Sequence, residues 1–215
     1  MLSDLLGPAK AIIGRPLTSP ETESICKYLE LLVEWNRTHR IVGSSQIEWL
    51  VRNIVLDSLL FLVVMPAGAR RVLDVGSGAG VPGIPLKIIR PDLGLVMVES
   101  RRKRASFLSS AIRELALDGA RVVHRRIEEI STDEIGRFDT VVARCTSAPM
   151  LLFDAVREFL TEDATVIVSG PPGNLVDRRV SLWVGVDNPV SRGKRHFAVM
   201  RSTWNREGPR RSTDD

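Results

Sequence analysis

Three glycines at alternate positions behind an acid are the residues of this chain best arranged to hold a ligand. They lie in Asp74-Val75-Gly76-Ser77-Gly78-Ala79-Gly80. Glycine adopts positive φ without strain and lets the backbone approach a ligand closely. Val72, Leu73 and Val75 are β-formers, as expected of a strand buried on both faces of a parallel sheet. The segment after the glycines reads as a helix opening, whose first N–H groups lack intrahelical partners and are expected to face the ligand. A second acid, Glu99, ends the next apolar run, Leu95 to Val98. Its carboxylate can accept both hydroxyls of a ribose.

Two nucleotide ligands compete for such a turn. A dinucleotide site needs G-x-G-x-x-G with a sugar-binding acid about 20 residues on. Counted from Gly76, the third glycine falls at a position occupied by Val81. The spacing present is G-x-G-x-G behind an acid-bearing strand, which is typical of S-adenosyl-L-methionine (AdoMet) methyltransferases. NAD is the alternative, and both readings imply adenosine.

The elements that must carry these residues follow from periodicity. Thr18-Ser19-Pro20-Glu21 offers an N-cap, an early proline and a first-turn acid. Ile25, Tyr28, Leu29, Leu32, Val33 and Trp35 then recur at helical spacing, to an end near Asn36. A second apolar helix is expected from Ile47 to Val64. From the glycine strand onwards, strands and helices alternate, which predicts a parallel sheet covered on both faces. The expected strands end at Glu99 and His124, span Phe138 to Arg144 and Thr165 to Ser169, and finish as an antiparallel pair over 180–186 and 196–200. A helix over 101–117 and another over 150–160 connect them. The fold class is therefore α/β, a Rossmann-like seven-stranded methyltransferase core. Residues 1–69 form a helical cap, 70–203 the AdoMet-binding domain, and 204–215 a disordered tail. Ligands of such sheets bind outside the carboxyl ends of the strands, where Gly76, Glu99, Glu128 and Arg144 all fall.

Composition narrows the class. The 215 residues are 44% hydrophobic, enough for one large domain. No run reaches the roughly 20 apolar residues of a membrane span, and Met1-Leu2-Ser3-Asp4 has no signal-peptide start. Two cysteines and three scattered histidines make no metal cluster. A cytoplasmic, metal-free monomer is the expectation. The net charge of +4 is clustered at Arg101-Arg102-Lys103-Arg104, Arg125-Arg126, Arg178-Arg179, Arg192 to Arg195 and Arg210-Arg211. Clustered bases suit a polyanion. Arg101, Arg102, Arg104, Arg192, Lys194 and Arg195 are the candidate RNA contacts, and cations at a helix start oppose its dipole, which suggests a use beyond helix stability.

Several motifs are decoys. Cys145 next to Arg144 allows covalent attack on a pyrimidine, but a small buried thiol fits better. Pro171-Pro172-Gly173-Asn174 follows the wrong strand for an amine cradle. His124 and His196 read as packed or hydrogen-bonded rather than catalytic.

The series Trp35-Asn36, Leu56-Asp57-Ser58, Asp74 to Leu86, Lys103-Arg104 with Phe107-Leu108, Arg126-Ile127-Glu128-Glu129, Arg144 and Arg195-His196 resembles the bacterial 16S ribosomal RNA guanine-N7 methyltransferases, the glucose-inhibited division protein B family. The extension Val81-Pro82-Gly83-Ile84-Pro85-Leu86 is its most specific part. The resemblance implies AdoMet contacts at Gly76, Val81, Ile127, Glu128 and Arg144, and ribosomal RNA or the small subunit as partner. Asp74, Ser77, Gly78, Gly80, Glu99 and Ser100 complete the expected cofactor segment. Arg144 would also supply a cation on the methyl-transfer side, with no general base needed. The chain departs from the family pattern at four places. Arg40-Ile41-Val42 stands for Asn-Leu-Thr, Ile54 for a His, Ser169 for a Lys and Cys145 for an Ala. The other function classes open at this point are a small-molecule methyltransferase and a non-catalytic AdoMet-binding ribosome-assembly protein.

Overall fold

The structure, a computed structural model, describes residues 2–144, 149–171, 182–190 and 193–205. Two short helices, α1 (Leu2–Leu6) and α2 (Ala9–Ile13), precede α3 (Ser19–His39). The first two are hardly more than a turn each, too short for periodicity to show. The start of α3 follows the residue types: Thr18 Oγ1 accepts from the Glu21 amide, and the Glu21 carboxylate accepts from the Thr18 amide at 2.8 Å. The helix runs past Asn36 to His39. Asn36 instead fixes the turn beyond, donating to Ser45 Oγ and accepting from the Val42 amide, both at 2.9 Å.

The single helix expected over 47–64 is broken. It comprises α4 (Ile47–Leu50), a π-helical stretch (Val51–Leu56), α5 (Asp57–Leu59) and α6 (Phe61–Val64). Asn53 donates its side-chain amide to the Trp49 carbonyl and Ser58 its hydroxyl to the Ile54 carbonyl. Such bonds compete with the regular helical ladder. Both Ile54 and Asp57 are buried along this stretch.

The sheet then builds in sequence: β1 (Arg71–Val75), α7 (Gly83–Ile89), β2 (Gly94–Val98), α8 (Arg102–Glu114), β3 (Ala120–Val123), α9 (Thr132–Ile135), β4 (Phe138–Arg144), α10 (Pro149–Val156), β5 (Leu160–Ser169), β6 (Leu182–Asp187) and β7 (Lys194–Arg201). Strand order is β3-β2-β1-β4-β5-β7-β6. The first five are parallel, and β7 runs antiparallel to both β5 and β6. β5 starts at Leu160 rather than Thr165, because exposed Glu162 and Asp163 interrupt the apolar run without interrupting the strand.

Alternate strand residues feed opposite faces. Val72, Met97, Val142, Ile167 and Phe197 pack with Tyr28, Leu32, Leu59 and Phe61 of the helical segment. Leu73, Val141, Val166 and Val168 pack with Phe153, Val156 and Phe159 on the other side. The Phe61 and Phe197 rings meet edge-on with centroids 4.9 Å apart. The helical cap and the sheet thus share one core. Residues 202–205 form a 3₁₀ turn at the start of the expected tail. The rest of that tail, with Arg210-Arg211, lies outside the described residues, as do Cys145, Pro172 to Asn174, Arg178-Arg179 and Arg192.

Candidate cofactor and methyl-transfer site

The glycine turn is tied to its neighbours by backbone bonds. The Val98 carbonyl accepts from the Gly76 and Ser77 amides at 2.8 and 3.2 Å, and the Ser77 carbonyl accepts from Gly80 and Val81 at 2.7 and 2.9 Å. Gly76, Gly78 and Gly80 all take positive φ, at 73°, 58° and 88°. Their reasons differ. A Cβ at Gly80 would lie 2.4 Å from Ile84 Cδ1, so this glycine serves packing, whereas the space beside Gly76 is open. From the helical cap, buried Tyr28 donates its hydroxyl to the Ala79 carbonyl at 2.7 Å. Burial holds that phenol well above its ordinary pKa.

Two carboxylates flank the turn. Asp74 is fully buried; Oδ2 accepts from the Gly83 amide at 3.0 Å, and Oδ1 has no partner. Burial pushes its pKa up to about 7. This corrects one expectation. The opening N–H of α7 at Gly83 is spent on Asp74, and Ile84 donates to the Gly80 carbonyl at 2.8 Å, so neither faces a ligand. Glu99 turns towards the glycine loop. Its Oε2 accepts from the Gly78 amide at 2.9 Å and its Oε1 from the Arg101 amide at 2.8 Å. Each oxygen keeps a further lone pair.

Beside the turn lies an open hollow of about 340 Å³. Gly76 to Ala79 and Val81 line it, together with Ile41, Val42 and Ile54, and Arg104 and Arg144. Two of the four departures from the family pattern therefore line one hollow, Ile41-Val42 and Ile54, and all three residues are apolar. Ile127, buried, and Glu128, exposed, form a 3₁₀ turn after β3 and do not line this hollow, nor does Ser100. The Ser100 carbonyl accepts from His124 Nε2 at 3.1 Å.

A partly buried charge cluster stands at the strand ends, with Asp57 at its buried centre. Arg144, the last residue of β4, places Nε 3.2 Å from Asp57 Oδ2. Arg195 of β7 places Nη2 3.3 Å from the same oxygen and 3.4 Å from Ser169 Oγ. The counter-ion of Arg144 is therefore Asp57. Asp139 accepts from the Arg70 and Arg71 amides at 2.9 Å each. Arg144 Nη1 is buried without an acceptor. Arg195, expected among the RNA contacts, faces inward to this cluster. Arg104 also turns in, against Gly78. Arg101, Arg102 and Lys194 are exposed. Asp57 is the residue that sequence reasoning left without a role; an acid inside the apolar run from Ile54 to Met65 was the available signal. Among the described residues no group of His, Cys, Asp or Glu is arranged to hold a metal, and no helix is long and apolar enough to cross a membrane.

The model of the rRNA small subunit methyltransferase G family matches residues 21–169. The chain belongs to this family. Two relatives show the extent. The ribosomal RNA small subunit methyltransferase G of Methylobacillus flagellatus is 39% identical over 151 residues, 70% of this chain and 72% of the relative. The protein of that name from Neisseria meningitidis serogroup C is 36% identical over 205 residues, 89% of this chain and 94% of the relative. Among solved structures, a mutant of MtNAS superposes with TM-score 0.53 and 14% identity, covering 85% of this chain and 74% of that one. That likeness concerns the fold alone. For an rRNA small subunit methyltransferase G the cofactor is AdoMet. The site fits it: the Gly76 face is open, Glu99 is aimed at the turn, and Asp74 Oδ1 is a buried acceptor without a donor. The matched span holds all of these and the Asp57–Arg144 pair, while Arg195 lies beyond it.

Proposed function

We propose that this chain methylates small-subunit (16S) ribosomal RNA at N7 of a guanine, as a monomer in the cytoplasm. The observation that carries the reading is one hollow lined by both Gly76 and Arg144, whose Nη1 lacks an acceptor. AdoMet, when bound, supplies a methyl group on a positively charged sulfur. Gly76 and Val81 offer backbone and apolar surface to its methionine part, Glu99 accepts from the ribose, and Ile127 and Glu128 serve the adenine. Asp74, with its unpaired Oδ1, complements a positive ligand charge.

Guanine N7 carries a lone pair in the ring plane and loses no proton on methylation. No base is required of the protein, which accords with a site rich in cations. The protein's task is placement, which is worth roughly 7–11 kcal/mol when reacting atoms are held in line. Arg144 donates to the guanine O6 and so orients the base. The positive charge passes with the methyl group from sulfur to the ring, and this bond places N7 rather than neutralising charge. Asp57 is a positioning residue: by pairing with Arg144 and Arg195 it sets the Arg144 guanidinium at the strand ends.

Ile54 where the family carries His, and Ser169 where it carries Lys, favour a second reading, an AdoMet-binding ribosome-assembly protein without turnover. Incubation of labelled AdoMet with 16S RNA and small subunits from a methylation-deficient strain separates the two. Label recovered from the RNA as 7-methylguanine supports the proposal. Tight AdoMet binding with no transfer supports the second reading, and label found only in small metabolites contradicts both.

A further inference from the structure

A second cavity, of about 510 Å³, lies over α8 and is separate from the cofactor hollow. Arg102, Ser106, Ser110 and Arg113 line it from α8, Trp35 from α3 and His124 from the end of β3. The four α8 positions recur at three- and four-residue steps and so form one stripe. Arg102 and Arg113 stand about 16 Å apart along the helix axis. The lining contains no carboxylate. Arg102 is exposed and has no hydrogen-bond or ion-pair partner among the described residues. Arg113 is largely exposed and touches Ser110 Oγ at 3.2 Å and Glu114 at 3.5 Å. Trp35 is half-buried, braced edge-on against Phe107 with centroids 5.7 Å apart.

The groove and the hollow are built on the same two elements. Arg102 faces the groove and Arg104, on a different face of the first turn of α8, lines the hollow, while α3 carries Trp35 and leads into the loop that carries Ile41. A groove bearing two cations, several hydroxyls and one indole suits a single RNA strand. Cations and hydroxyls hold phosphates, which fix register, and an aromatic ring stacks a base of any identity.

We propose that this groove seats the single-stranded ribosomal RNA that flanks the methylated guanine. Phosphates lie on Arg102 and Arg113, the serine hydroxyls donate to the backbone between them, and one base stacks on Trp35. The inference rests on the rRNA methyltransferase reading and adds to it the path of the substrate. It assigns Arg113, Ser106 and Trp35 to binding, and it moves Arg104 and Arg195 out of the strand's track and into the transfer site.

The test is equilibrium binding of the full-length protein to protein-free 16S RNA over a salt series, with AdoMet binding as the control for folding. Each phosphate contact to a single strand contributes about 0.7 to the log–log salt slope. Arg102→Gln with Arg113→Gln should flatten that slope by about 1.4 while AdoMet binding stays unchanged. Ser106→Glu places a carboxylate in the groove from an exposed position and should weaken RNA binding about fivefold or more, consistent with the loss of one charged contact. Wild-type slope in the double variant together with wild-type affinity in Ser106→Glu overturns the groove. A wild-type protein that neither binds nor methylates 16S RNA overturns the methyltransferase reading along with it, so the two failures are distinguishable.

Discussion

The two parts of the site, the glycine turn and the charge cluster, are built in opposite ways. At the cofactor end the polar groups are tied to backbone of the turn itself or of the neighbouring strand's end, with Asp74 Oδ1 the exception: Gly76 and Ser77 on Val98, Asp74 Oδ2 on Gly83, Glu99 on Gly78 and Arg101. At the transfer end three side chains from distant segments converge, Asp57, Arg144 and Arg195, and Arg144 Nη1 is buried without a hydrogen-bond acceptor. A buried donor left unpaired costs on the order of 1–3 kcal/mol, so a fold that keeps one there holds a group suited to a ligand's oxygen atom. The first end is a rigid cradle. The second is a charged surface awaiting a partner.

The contrast can be broken most severely at Asp57. Asp57→Ala leaves two guanidiniums without their shared counter-ion, and removing one partner of a buried pair costs about 3–5 kcal/mol. A fall of that size in urea stability is expected, and an unchanged midpoint would show that the cluster is well solvated. Next in size, Arg144→Ala should reduce kcat about 10²-fold at saturating AdoMet, the scale for misplacing a reactant by about 1 Å. Full turnover under saturation would remove Arg144 from the transfer step. At the cofactor end, Gly80→Ala forces a methyl onto Ile84 and should cost about 1–3 kcal/mol of stability by overpacking. Gly76→Ala meets no atom and carries only the strain of positive φ, about 1–2 kcal/mol, which Gly80→Ala bears in addition to its clash. It should also weaken AdoMet binding. If both variants lose stability equally, the division of labour between these glycines is wrong.

A smaller effect concerns pH. The pKa of Asp74 stands at about 7 in the folded state against 3.8 unfolded, so the folded protein holds a proton that the unfolded chain has already lost. The stability this contributes is full below about pH 4 and is lost as pH rises through about 7. A positively charged cofactor favours the ionised form, so AdoMet should bind more tightly at pH 8 than at pH 6. Asp74→Asn should flatten both profiles, as urea midpoints and AdoMet titrations at the two pH values would record. The smallest expected change is at Arg40, which takes φ 45° at the end of α3 where the family carries Asn. Arg40→Gly relieves about 1–2 kcal/mol of left-handed strain against about 0.4–1 kcal/mol of added chain entropy in the unfolded state, so a net gain below about 1 kcal/mol is expected in the same denaturation assay.

The same contrast explains what the sequence discloses. The cradle is encoded between Arg71 and Glu99 by local rules, namely β-formers, alternate glycines and an acid at the next strand end, so its fold and ligand class were readable. So was the capping of α3 by Thr18 and Glu21. The transfer end depends on contacts between residues 57, 144, 169 and 195, which no local pattern brings together. Arg195 therefore read as an RNA contact, and Asp57 stayed without a role. The break in the helix over 47–64 was hidden for a related reason. Apolar periodicity reports which residues are buried, whereas the π-helical stretch accompanies side-chain bonds from Asn53 and Ser58 to the backbone.

A crystal structure with S-adenosylhomocysteine would test the two-ended site most directly. The ribose hydroxyls are expected within hydrogen-bond distance of the Glu99 carboxylate, with the sulfur pointing along the hollow towards Arg144. A ribose turned away from Glu99, or a sulfur facing away from Arg144, would contradict it.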